Sequence, residues 1–346
     1  MSMPRNILLS TLAMCMAALN AGCSAPGKLL EPTPESPRWP AAPDLPRLMY
    51  LGELSSDKDL KPARGFLETI GATLFGDEPP QGMVNPLATC SDGASRIFAV
   101  DTNSRVLHVF DLNTRNYTTW SSSDSPFTSP VAVIFDPSGR VLVADSAQGC
   151  LFAFNTNGLL LAKLGEGVFK RPCGMAIAPD GRLFVADVGA HQIVVFSPQG
   201  KVINRLGQRG SKHGEFNFPT NVALDHEGKL YVSDSMNFRI QVFSPELAFI
   251  RQIGSKGDLP GYFSQPKGIA IDQDDHLYVV DANFEAVQLF DKEGALLMSF
   301  GHEGTGPGEF WLPAGIHIDP TGRVFVADSY NRRIQVFQYL REGTGK

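Results

Sequence analysis

Apolar runs of five or six residues separated by polar turns recur along the chain from about residue 86 to its C-terminal end. The clearest run reads IFAVDTNSRVLHVF from Ile97, VLVADSAQGCLFAF from Val141, LFVADVGAHQIVVF from Leu183, LYVSDSMNFRIQVF from Leu230, LYVVDANFEAVQLF from Leu277 and VFVADSYNRRIQVF from Val324. Valine, isoleucine and aromatic residues in runs this short predict strands, and the polar residues between paired runs predict tight connections. A shared Asp stands at 101, 145, 187, 234, 281 and 328, so the spacings are 44, 42, 47, 47 and 47 residues. A period of this length holds four strands and identifies a blade.

Within a copy the order of elements is regular. A Pro opens PTNVALD from Pro219, PKGIAID from Pro266 and PAGIHID from Pro313, and turns such as DPSG at 136, PDG at 179, DHEG at 225 and DPTG at 319 follow. Asp, Pro and Gly provide turn geometry there. The VFVAD-type strand is second, an RIQVF-type strand is third, and a fourth runs toward Gly165, Gly207, Gly254 or Gly301. Three residues before the opening Pro stands Phe127, Phe169, Phe216, Phe263 or Phe310, with Met83 in the first copy, and a large apolar residue in every copy predicts packing between blades. The repeated Asp is read as framework too, because Arg239 and Arg333 follow it by five residues in copies four and six and can pair with it.

Residues 219–254 and 313–337 resemble the NHL repeat, with its Pro, Gly-Ile-Ala-Val-Asp, Gly, Tyr-Val-Ala-Asp, Asn and Arg-Ile-Gln-Val-Phe pattern. The resemblance spans residues 86–340, and copies one and two depart from it with LATCSDG and VAVIFD. It implies an all-β, six-bladed β-propeller of four-stranded blades, which the count of copies supports independently. The sixth copy ends near Leu340 with three strands, while RLMYLGEL from Arg47 is a lone strand, so the N-terminal strand is expected to close the sixth blade. Phe66, Leu67, Ile70, Leu74 and Phe75 stand at helical spacing and predict a short helix near 64–75.

The N-terminus has its own pattern. Arg5, an apolar run from Ile7 to Leu19 and small residues up to Cys23 form an export signal over residues 1–22. LNAGC resembles the bacterial lipobox, with Asn20 where that motif has Leu, Val or Ile, and the resemblance implies a lipidated Cys23. Ser24 after it, by resemblance to Gram-negative lipoproteins, implies anchoring at the periplasmic side of the outer membrane, with a soluble periplasmic or secreted protein as the alternative. Residues 23–46 contain Pro at 26, 32, 34, 37, 40, 43 and 46 and are read as an extended tether of roughly 3.1 Å per residue. Residues 47–346 form the propeller domain.

Composition narrows function mainly by exclusion. A hydrophobic content of 43% with 34 Gly and 25 Pro suits many short strands and turns. A net charge of −6 disfavours the broad basic surface of a nucleic-acid binder. No nucleophile elbow, phosphate-binding glycine loop or CxxC pair is present, and no cofactor is expected. Cys90, Cys150 and Cys173 allow one disulfide within the propeller and are read as small buried hydrophobes.

Functional candidates stand where the copies differ. Loops before the first strand and after the second share one face of a propeller, where ligands usually bind. Arg105, His191, Glu285 and Arg332 follow second strands, Trp311 precedes a first strand, and Thr220, Asn221 and Lys267 stand at first-strand entrances. His317 replaces the Ala or Ile of copies two to five. A metal site is not assigned, because His191, His213, His302 and His317 show no HxH or HExxH spacing; DQDD from Asp272 likewise lacks the full calcium-loop pattern. The expectation is a monomeric, non-enzymatic, membrane-tethered module that binds an envelope protein, peptide or glycan through its loop face. The alternative is a metal-dependent hydrolase or lyase with an axial site, as in propellers resembling lactonases and peptide-amidating lyases.

Overall fold

The structure, a computed structural model, describes residues 29–61 and 79–341. The expected export signal, Cys23 and the helix near 64–75 lie outside the described residues. Five antiparallel four-stranded sheets and one five-stranded sheet form six blades around an axis. Blade 4 is representative, with strands Pro219–Leu224, Leu230–Asp234, Arg239–Phe243 and Phe249–Ile253 running from the axis outward. Its registers pair Leu224 with Leu230, Leu230 with Phe243 and Ile240 with Ile253. In blades 1 to 5 the first strand shifts register just after its opening Pro, which has no N–H to donate to the ladder.

Second and third strands are buried along their whole length in blade 4, because each blade is sandwiched between two others. The hydrophobic core is correspondingly divided into six clusters, and each cluster joins two neighbouring blades. Every cluster holds one copy of the residue that precedes the opening Pro: Phe127, Phe169, Phe216, Phe263, Phe310 or Met83. Glycine is required beneath four of these rings. A Cβ at Gly165, Gly207, Gly254 or Gly301 would lie 2.3–2.4 Å from the Phe ring of the same interface, and each of the four has positive φ.

The N-terminal strand closes the ring. Leu48–Leu54 pairs antiparallel with Arg333–Tyr339, from Leu48 opposite Tyr339 to Leu54 opposite Ile334. Arg333 also reaches Glu53 at 2.7 Å, which ties the two chain ends by an ion pair. Residues 29–46, the described part of the stretch expected as an extended tether, pack on the propeller. Arg38–Trp39 adds a fifth strand, with Trp39 against Phe300 and Phe337 at 5.8 and 5.7 Å, and Leu29 and Leu30 pack on the cluster between blades 6 and 1. Proline is tolerated at a sheet edge, and these apolar side chains gain more by burial than an open tether would allow.

Gly254→Ala is expected to cost roughly 2–4 kcal/mol, combining left-handed strain with overpacking against Phe263. Gly139→Ala, at φ 84 with open space around it, should cost only about 1–2 kcal/mol. Denaturant unfolding of both variants checks this, and equal losses would contradict the ring-on-glycine packing.

Candidate functional site

The loop face is organised by the repeated Asp, whose six copies have no exposed surface. In blades 1, 2, 3 and 5 the carboxylate accepts both backbone N–H groups ahead of the first strand, as Asp187 does from Lys170 and Arg171 at 2.9 and 2.8 Å. The Asp101 carboxyl is pushed up by burial, but hydrogen bonds from His108, Ser104, Val84 and Asn85 outweigh that and hold it well below the usual carboxylate range. Asp281 lies above that range, because its backbone hydrogen bonds do not offset burial.

Blades 4 and 6 divide the work differently. One oxygen of Asp234 accepts from Asn217 N, while the other accepts from Asn237, Arg239 and Gln241 at 2.8, 2.9 and 3.1 Å. Asp328 repeats this arrangement with Trp311 N, Asn331, Arg333 and Gln335. Phe218 and Leu312, the next residues along, have φ of 55 and 46, and their N–H groups turn to the preceding blade. Phe218 N donates to Nδ1 of His191 at 3.2 Å, and Leu312 N donates to Glu285.

Two residues expected on the binding face are therefore clips between blades. Arg105, His191, Glu285 and Arg332 all occupy the same left-handed loop position, with φ of 52 to 58, but only the two arginines project to solvent. Asn221 also leaves the loop face. Its Oδ1 accepts from Val222 N, and its backbone packs on Gly174 in the channel wall. Thr220 is half-buried, with its hydroxyl 2.6 Å from that of Ser235.

Lys267 lines a pocket of about 320 Å³ with Phe218, Thr220, Ser235, Met236 and Gln265. Burial lowers its ammonium pKa, against the pull of Glu285 and Asp281, and burial raises that of the Glu285 carboxyl. No carboxylate lies within ion-pair distance of the Lys267 ammonium among the described residues. Trp311 and Tyr330 are about half exposed and lie against each other at 5.5 Å, and Met236 is exposed to the same degree. Arg105, Lys267, Trp311 and Arg332 thus stay available to a ligand. Met236, Phe218 and Tyr330 were not singled out from sequence, although each is an apolar or aromatic residue at a loop position that is polar in at least two other copies.

The histidines do not converge. His191 is engaged by Phe218, His213 stacks on Phe249 at 4.1 Å, and His302 bonds the Glu303 carbonyl at 3.0 Å. His317 alone lines the axial channel. Among the described residues no group of three or more His, Cys, Asp or Glu side chains is placed to hold a metal. Cys90, Cys150 and Cys173 are free, and burial pushes each thiol upward.

Burial lowers the His317 imidazole to about 4; Asp319 opposes this and Arg323 adds to it. Between pH 6.5 and 4 the unfolded chain then binds a proton that the folded chain refuses, so stability falls as pH drops through that window. The expected slope approaches about 1.4 kcal/mol per pH unit for this one group. Comparing urea unfolding of the wild type and His317→Phe across the window tests it, and an identical slope in both would contradict a neutral buried ring.

Comparison with known proteins agrees with this architecture. NHL repeat models match residues 169–196 and 310–337, each running from an interface Phe to the last residue of a third strand or the Phe within it. A family model described as a 6-bladed beta-propeller matches residues 221–287. No curated protein matches the sequence. Among solved structures, a gluconolactonase from Xanthomonas campestris is 14% identical, with TM-score 0.61 over 92% of this chain and 99% of that one. Virginiamycin B lyase from Staphylococcus aureus is 15% identical, with TM-score 0.56 over 74% and 96%. The calcium-binding protein regucalcin from Agrobacterium tumefaciens is 20% identical, with TM-score 0.55 over 80% and 85%. Identities this low establish shared fold alone, and with the matched segments they make the chain a six-bladed β-propeller that carries NHL repeats at residues 169–196 and 310–337.

Proposed function

We propose that the protein is an envelope-anchored binding module whose loop face recognises a protein, peptide or glycan partner carrying an anionic group. The observation that carries this reading is Lys267, an ammonium without an ion-pair partner among the described residues, in a mostly apolar pocket beside exposed Met236. An ammonium held this way is suited to a carboxylate or other anion, which would offset its desolvation. The exposed Trp311–Tyr330 pair adds a flat aromatic surface of the kind that dominates binding energy at interfaces.

Catalysis is the second reading, favoured by the use of this fold in a lyase and a gluconolactonase. It draws on fold-level analogy, which carries no site chemistry with it.

A photo-crosslinker placed at residue 311 in native membranes is expected to capture a partner, whereas one at Gln199 in a turn of the opposite face is not. Alanine at Arg105, Lys267, Trp311 and Arg332 together should cut crosslinking of that partner at least tenfold, introduced by a reactive group on the partner, without lowering the melting temperature. Unchanged capture by the folded quadruple variant would overturn the loop-face reading. For the anchor, mass spectrometry of the mature N-terminus should find a diacylglyceryl group on Cys23, and a free thiol there would remove it.

A further inference from the structure

We propose that the loop-face pocket at Lys267 receives the C-terminal residue of a peptide, with its carboxylate on the Lys267 ammonium and its apolar side chain against Phe218 and Met236. The inference rests on the loop-face reading and names the group recognised there. The pocket, of about 320 Å³, is lined by Phe218, Thr220, Ser235 and Met236 of blade 4 and by Gln265 and Lys267 of blade 5. Its hydroxyls are already used. Ser235 donates to the Pro266 carbonyl at 2.6 Å, and the Thr220 hydroxyl lies 2.6 Å from that of Ser235 and 3.3 Å from the Lys267 carbonyl. Two polar groups are left for a ligand, the Lys267 ammonium and the Gln265 side-chain amide, neither of which has a hydrogen-bond partner among the described residues.

The lining selects among anions. Lys267 is the one cation in it, so a singly charged carboxylate is matched while a phosphate dianion would be only half neutralised. Phe218 and the half-exposed Met236 place an apolar surface beside that charge. An Asp or Glu side chain brings a carboxylate without an apolar body, whereas a C-terminal residue with a branched or aromatic side chain brings both. A cavity of about 150 Å³ already accommodates benzene, so this one has room for such a side chain. Gln265 offers a donor and an acceptor, which suits the peptide amide that adjoins a C-terminal carboxylate and that a free apolar acid lacks. The residue after the opening Pro is Leu87, Val131, Cys173, Thr220 or Ala314 in the other copies, so blade 5 alone places a cation at this position.

The test is calorimetric titration of the full chain with N-acetyl-Gly-Gly-Leu, the same peptide as its C-terminal amide, 4-methylpentanoate and inorganic phosphate. Saturable binding of the acid peptide is expected, about tenfold or more tighter than the amide, which lacks the charge-assisted contact. 4-Methylpentanoate should bind more weakly than the acid peptide, and phosphate should not saturate. Lys267→Met keeps the side-chain length and should abolish the preference for acid over amide. Gln265→Leu should weaken the acid peptide about threefold and leave 4-methylpentanoate unchanged. His317→Phe, in the channel, should change none of these. Absence of saturation by the acid peptide, equal binding of acid and amide, or a preference that survives Lys267→Met in folded protein would overturn the proposal. So would saturation by phosphate, or 4-methylpentanoate binding as tightly as the peptide, which would assign the pocket to free apolar acids. Partner capture through residue 311 does not need a C-terminal carboxylate, so capture that persists in any of these cases removes the end group and leaves the loop-face reading standing.

Discussion

Everything on the loop face depends on a carboxylate buried without solvent in each blade. A charge removed from water is tolerated only when hydrogen bonds replace its hydration, and the repeated Asp obtains them from the backbone before the first strand and the loop after the second. One side chain thereby fixes two loops relative to each other in every blade. Where φ becomes positive at Phe218 and Leu312, the N–H freed from that carboxylate is taken by His191 or Glu285 of the preceding blade. The demand for satisfied hydrogen bonds thus links blades 3 to 4 and 5 to 6, and it decides which loop side chains remain free.

The same ring produces two separate surfaces. Packing one large apolar residue into each interface, with glycine beneath four of the rings, brings the inner strands together. Close backbone contacts at Gly174, Gly268 and Gly315 narrow the axis toward the loop face, while side chains hold it open toward the turns. Lys267 and the aromatic pair face one side, and the channel lined by Thr89 and His317 widens toward the other.

Most of the fold was legible because repetition samples the same physical requirement six times. Asp, Phe, Pro and Gly recur where each blade needs a buried clamp, an interface filler, a strand start without an N–H or a left-handed turn. The closing strand followed from strand counting. The fifth strand at Arg38–Trp39 was not legible, because a two-residue edge strand among prolines has no periodicity and is stabilised by Phe300 and Phe337, which are distant in sequence.

The candidate site was legible only in part. Variation between copies selected Arg105, Lys267, Trp311 and Arg332, which keep some exposed surface, and equally His191 and Glu285, which bond the next blade. Local pattern alone determined the strands, the blade count and the framework role of the repeated Asp, since these rest on short-range geometry repeated at fixed spacing. Only the tertiary structure decided which variable side chains are consumed between blades and that His317 and Thr89 share one cavity. Those facts depend on the approach of residues 27 or more positions apart, a distance that no periodicity within a single repeat can encode.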